Sequence, residues 1–378
     1  MSLQEFIEKS TKLIGKEAED HLPVNHVVTR RTINSFSSAL GMDNVLWDNP
    51  GYALASRFGS LLAPQTYLSS IRWPVSDGDY KNKDYSLAKF CTAVEFEWFD
   101  VIRCGDTFTT ELKLTDICEK TVEDKQVVDL VSEASYFNRG EELVGAGTGT
   151  MTMIPIKRGE EMFSDREIYE YSQEEIDRIA KDIDSGVSRG DATLFWEDMN
   201  EGDTLPQVVK GPANLPDIYS WRGVTKRRLS LEIGYKQALI EPGNRRVNPT
   251  TNWPYFHADN VANDINSVKL NGMPQPYVHG LAMASMSEDL LQRWMSVDGF
   301  IRKLNFVPLK PFIYGDTNWY SGTVVEKYKE KLNGVIYYAA DIAIDMTNQM
   351  GEKTGSGDAT IYLASRGHEV TLPVPNCC

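Results

Sequence analysis

His257 is the residue in this chain best suited to moving a proton near neutral pH. A histidine's reference pKa lies close to neutrality, so one side chain can take a proton from water and give it back. It stands in NWPYFHAD, five positions after Asn252 and two before Asp259. Asn252 has no carboxylate to act as a base; its amide either orients water or ligand, or holds the turn before Pro254. Asp259 supplies an acid. In an extended segment it shares a face with His257; in a turn it does not, and a supporting hydrogen bond or an exposed structural role is then its part. Further on, His279 and Gly280 open an apolar run. Glycine lets backbone approach a ligand, and amides at the start of a following helix can hold developing negative charge. His279 either donates a hydrogen bond there or fixes the turn. Tyr255 and Tyr277 either position a ligand or pack. Arg245 and Arg246, like Lys226–Arg228 and the pair Arg302 and Lys303, are local cations open to an anionic ligand or to plain solvation.

The elements that must position these residues occur twice. VIRCGDTFTTEL from Val101 has a counterpart in PFIYGDTNWYSG from Pro311, about 210 residues later. Asn138 and Asn348 each lie 33 positions after the glycine of their own Gly-Asp-Thr. Upstream, ALGMDNVLWDNPGYA around Asp43 matches the position of TNWPYFHADNVAND around His257, and GSLLAPQTY matches NGMPQPYVHG. Three matches in one order point to a domain-scale repeat. After Gly280, Met283, Met286, Leu290 and Trp294 recur at helical spacing and predict a mostly buried helix of about 14 residues. Pro64 can open a helix in PQTYLSSIRW, where its missing amide hydrogen costs nothing. KFCTAVEFEWFD, TFTTELKLTDI, QVVDLVSEASYF, GVIYYAADIAIDM and DATIYLASR carry the β-branched and aromatic residues of strands. One helix followed by antiparallel strands suits an α+β unit, a curved sheet around a central helix, made once in each half. Residues 1–155 form the first unit, 156–193 a charged connector with helices broken near Ser185, Gly186 and Gly190, and 194–378 the second. The Gly-Asp-Thr aspartates, Asp106 and Asp316, suit tight turns better than chemistry. GAGTGT from Gly145 lacks the lysine of a phosphate loop and falls in a strand.

The formal charge of −15 argues against a broad nucleic-acid-binding surface. The amphipathic start and the absence of a long apolar run point to no membrane insertion and a cytoplasmic protein. Cysteines at 91, 104, 118, 377 and 378 show neither metal-ligand spacing nor a disulfide framework. No metal and no separate cofactor are expected.

These residues together resemble the MaoC-like double-hotdog hydratase/dehydratase family, with a FAS1-like dehydratase amino-terminal half. The resemblance rests on LFWEDMNEGDTLPQVVKGP from Leu194, on HAD at His257–Asp259, on YVHG at Tyr277–Gly280 and on both Gly-Asp-Thr turns, and it spans nearly the whole chain. It implies a double hotdog, two antiparallel sheets each wrapped around a central helix, acting on acyl-CoA or acyl-carrier thioesters. The family's Asp-x-Asn-Pro-x-His-x-Asp-like motif places Asn252 at its leading Asp, Pro254 at its Asn, Tyr255 at its Pro, His257 at the catalytic His and Asp259 at the later Asp. No histidine lies between His26 and His257, and Trp47 or a neighbour stands where the first half would need one. The first half is therefore expected to shape the acyl cavity without catalysing.

The resemblance implies reversible hydration of an α,β-unsaturated acyl-CoA to a 3-hydroxyacyl-CoA. His257 would activate water, Asn252 orient it, and an amide near Gly280 stabilise the enolate-like thioester, with Asp259 and His279 supporting. Tyr255, Tyr277, Arg245 and Arg246 would bind substrate, and coenzyme A would enter only as part of that substrate. A hotdog thioesterase, with water attacking the carbonyl carbon, and a noncatalytic acyl-thioester-binding protein are the alternatives. Pairing of hotdog sheets makes a homo-oligomer possible.

Overall fold

A computed structural model describes residues 2–18, 24–80, 87–122, 124–157, 160, 162–163, 166–225, 245–247, 252, 254–256 and 272–376. The strand-like runs become strands: β1 Leu87–Trp98, β2 Thr109–Val122, β3 Lys125–Phe137, β4 Leu143–Pro155, β5 Val208–Lys210, β6 Phe300–Pro308, β7 Asn318–Leu332, β8 Val335–Asn348 and β9 Lys353–Leu363. They form one nine-stranded antiparallel sheet in the order β2-β3-β4-β1-β6-β9-β8-β7-β5. The halves meet where β1 pairs β6, from Glu97 opposite Lys303 to Val94 opposite Phe306. Alternation sets the faces: Val94, Phe96 and Trp98 are buried while Glu95 is exposed. Asn333 and Gly334, both with positive φ, make the two-residue turn between β7 and β8 that suits the twist of a hairpin.

The repeat holds at its turns, bond for bond. The Arg103 amide donates to the Asp106 carboxylate at 2.7 Å, and the Ile313 amide donates to that of Asp316 at 3.1 Å. Asn138 Oδ1 accepts from the Gly140 and Glu142 amides, and Asn348 Oδ1 accepts from those of Met350 and Glu352. Both motifs therefore hold tight turns. The second copy carries an addition, because Asp316 is buried and pairs with Arg166 of the connector at 2.7 Å. Connector residue Tyr171 donates to the Gly315 carbonyl at 2.8 Å, so this charged stretch is fastened across the second turn.

Four helices matter for the site: α1 Arg30–Leu40, α2 Gln173–Ser185, α3 Leu215–Thr225 and α4 Gly280–Met295. The expected helix after Gly280 is α4, whose apolar residues Leu281, Leu290, Leu291 and Trp294 are buried and which packs on β1 and β6. The first half departs from its expected central helix. There the helical path is only a 3-10 turn, Gln65–Tyr67, and one α-turn, Leu68–Ile71. Arg72 is already extended and Trp73 precedes Pro74, a position that disfavours helix. The segment after the turn lies directly on β4. A Cβ on Gly145 would meet Leu68 Cδ1 at 2.5 Å, and one on Gly149 would meet the Pro74 carbonyl at 2.4 Å. GAGTGT is thus a sheet surface cleared for close packing.

Polar groups inside α4 join it to its surroundings. Glu288, fully buried, accepts from the Gln65 amide at 2.6 Å and from the Thr66 amide at 2.8 Å, capping the short first-half turn. Burial raises its carboxyl pKa, and the Thr66 and Gln65 donors oppose that rise. Asp289 pairs with Lys210 at 2.6 Å and with Arg293 at 2.9 Å. Lys210 Nζ also donates to the Leu40 and Gly41 carbonyls at 2.8 and 2.9 Å, closing the end of α1. Lys210→Met is expected to lower unfolding free energy by about 2–3 kcal/mol, measured by urea denaturation. That is below the roughly 3–5 kcal/mol of a fully orphaned buried ion, because Arg293 still faces Asp289.

Candidate active site

At the start of α4, His279 is the N-cap, with extended φ and ψ of −67° and 142°. Its Nδ1 accepts from the Leu281 amide at 3.2 Å, and its carbonyl accepts from Ala282 at 2.8 Å and Met283 at 3.1 Å. An accepting Nδ1 puts the proton of the neutral ring on Nε2. The first-turn amide left over is that of Gly280, which has no hydrogen-bond partner among the described residues. Gly280 is glycine for a packing reason: a Cβ there would sit 2.4 Å from the Cys91 carbonyl oxygen and 3.0 Å from Pro308. The Cys91 thiol beside it is buried and pushed up to about 12, which keeps it protonated and inert.

Two tryptophans flank His279. Trp73, from the first half, lies 4.5 Å from its ring centroid, and Trp221 of α3 stacks at 5.6 Å and 19°. The two indoles are themselves 5.3 Å apart. The first half therefore reaches the second half's helix start: its short helical turn ends at Ile71, Arg72 is extended, and Trp73 meets His279. The sequence offered a weak signal for this pair: Trp221 sits in a helix with little amphipathic pattern, and Trp73 matters only through a contact across the halves.

Arg245–Val247 pairs antiparallel with Pro254–Phe256, setting Arg246 opposite Tyr255 and Arg245 opposite Phe256. The backbone thus brings the two arginines beside the strand that runs into His257. Asn252 is exposed with φ of 54°, a left-handed conformation that asparagine tolerates better than most residues. Tyr277 is buried with Met273 and Ile313 in a small cluster of its own, 5.8 Å from the Phe90 ring, and is not part of the tryptophan–histidine stack. His257, Asp259 and Lys226–Arg228 lie outside the described residues. Arg302 is taken up by Glu97 at 2.6 Å and by the Trp98 carbonyl, and half-exposed Lys303 also faces Glu97, at 3.5 Å. Trp47, in the place corresponding to His257, is a core residue 2% exposed.

Residues 12–146 match the family model of the FAS1-like dehydratase domain region. Among solved structures, a MaoC-like dehydratase aligns with 94% of this chain and 99% of its own, at 15% identity and a TM-score of 0.62. A Mycobacterium tuberculosis protein described as having a double hotdog fold covers 94% of this chain and 98% of its own, at 10% identity and a TM-score of 0.58. The chain is a double hotdog. A MaoC domain protein dehydratase from Chloroflexus aurantiacus J-10-fl aligns with this double hotdog over 94% of its length and 96% of the other chain, at 12% identity and a TM-score of 0.60. No curated protein sequence matches it. The FAS1-like dehydratase resemblance is thus carried by sequence in the first half, and the double-hotdog architecture by fold likeness across the whole chain. Among the described residues, no helix of the double hotdog is long and apolar enough to cross a membrane.

Proposed function

We propose that this chain is a hydro-lyase that adds water to an α,β-unsaturated acyl-CoA, or removes it from the 3-hydroxyacyl-CoA. The observation that carries this reading is the unspent Gly280 amide at the positive end of a buried 16-residue helix. Such a donor suits the thioester oxygen as it gains charge in an enolate-like transition state. In the forward direction, water attacks the β carbon and gives its proton to His257, with Asn252 orienting the water. Charge gathers on the thioester oxygen opposite the Gly280 amide. A protonated group then delivers hydrogen to the α carbon, and dehydration reverses these steps. Asp259 supports His257. Arg245 and Arg246, opposite the strand entering the motif, supply cations for the phosphates of coenzyme A.

The test is a panel of α,β-unsaturated acyl-CoAs, including branched and cyclic members, incubated with the full chain and followed by liquid chromatography and mass spectrometry. A mass gain of one water, or its loss from matching 3-hydroxyacyl-CoAs, is the expected result. Release of free coenzyme A without hydration would replace this reading with a thioesterase.

A further inference from the structure

Three of the fold's indole donors have acceptors, whereas that of Trp221, beside the candidate site, has none among the described residues. Trp98 donates to the Gln65 carbonyl, Trp196 to that of Ala339 and Trp319 to Asp182, each at 2.9 Å. Trp221 is 2% exposed, yet its Nε1 is buried without a hydrogen-bond partner in the described structure. An indole N–H can only donate, and a buried donor left unmatched is a standing cost to the folded state. The same ring stacks on His279, next in sequence to the Gly280 amide. A second unmatched group comes from the opposite half. The Ser69 hydroxyl is fully buried and unpartnered, in the Leu68–Ile71 turn that packs against α3, and Ser69 holds the repeat position of His279.

We propose that Trp221 is a specificity residue whose indole N–H donates to an oxygen on the acyl tail, assisted by the Ser69 hydroxyl. The preferred ligands are then acyl thioesters with a hydroxyl or carbonyl in the tail, over plain hydrocarbon chains. This rests on the reading that an acyl thioester occupies the start of α4. The flanking indole faces supply the apolar wall that an acyl chain needs, and the unmatched donor marks where that wall stops being indifferent to polarity.

The experiment is calorimetric binding of saturated acyl-CoAs to the full chain, in pairs that differ by one tail hydroxyl walked along the chain. The hydroxyl is placed beyond the third carbon, so these saturated ligands can be neither hydrated nor dehydrated and recognition is read apart from turnover. The wild type is expected to favour one hydroxylated isomer about tenfold, the scale of one added hydrogen bond. Trp221→Phe should abolish that preference while keeping affinity for the plain partner. Ser69→Ala should reduce it without lowering the thermal midpoint. Equal affinity for every pair in the wild type, or equal weakening of both members in Trp221→Phe, would make Trp221 a packing residue and overturn the proposal. Failure to bind any acyl-CoA would overturn it together with the proposed function. A hydroxyl preference without water addition to the unsaturated panel would leave recognition standing and reject only the reaction.

Discussion

Replacing His257 with alanine is expected to lower kcat/KM for water addition by about 10²–10⁴-fold, the usual contribution of a positioned general base. The loss should fall mainly on kcat, since a proton-transfer group acts in the transition state more than in substrate binding. Its measure is single-substrate kinetics on the best acyl-CoA of the panel, beside a binding measurement with the saturated analogue. Retained binding with lost turnover assigns His257 to chemistry. Full activity in the variant would remove it from the mechanism and leave the leading role to another group near α4.

Gly280→Ala has the second largest expected effect, and it acts on two quantities at once. The new methyl would stand 2.4 Å from the Cys91 carbonyl, a backbone atom that cannot swing aside. The start of α4 must therefore lift from β1, at a cost of about 1–3 kcal/mol in unfolding free energy, as for other overpacked sites. The same movement carries the Gly280 amide away from the thioester oxygen. A displacement of about 1 Å can cost on the order of 10²-fold in rate. Urea denaturation and kcat/KM read the two consequences separately. Lost stability with undiminished turnover would show that the Gly280 amide packs the helix without serving the reaction.

Much of this architecture was legible in the residue order because its signals are local. The spacing of Met283, Met286, Leu290 and Trp294 announced α4, and alternation announced the strands. The paired Gly-Asp-Thr turns and the two asparagines announced a repeat, since each motif satisfies backbone groups a few residues away. What was not legible depends on contacts between distant parts of the chain. Local sequence allowed a first-half helix after Pro64, but Pro74 and close packing on the β4 glycines cut it to a short turn. That loss let Trp73 reach His279, and no periodicity within either half signals the encounter. Among the residues gathered at the start of α4, His279 and Gly280 stood out in the sequence through their place before a helix. Trp221 did not stand out, because a buried aromatic side chain reads as core until its donor is counted.

The neighbouring carboxylates in α4 also constrain how such a chain can change over evolutionary time. Glu288 grips Gln65 and Thr66, while Asp289 grips Lys210. One inserted residue upstream within the helix would rotate both by about 100° and dismiss these three partners at once, leaving only the pairs within the helix itself. Length variation should therefore accumulate in the surface turns of the connector, while the span from Gly280 to Asp289 keeps its residue count even as individual apolar side chains drift.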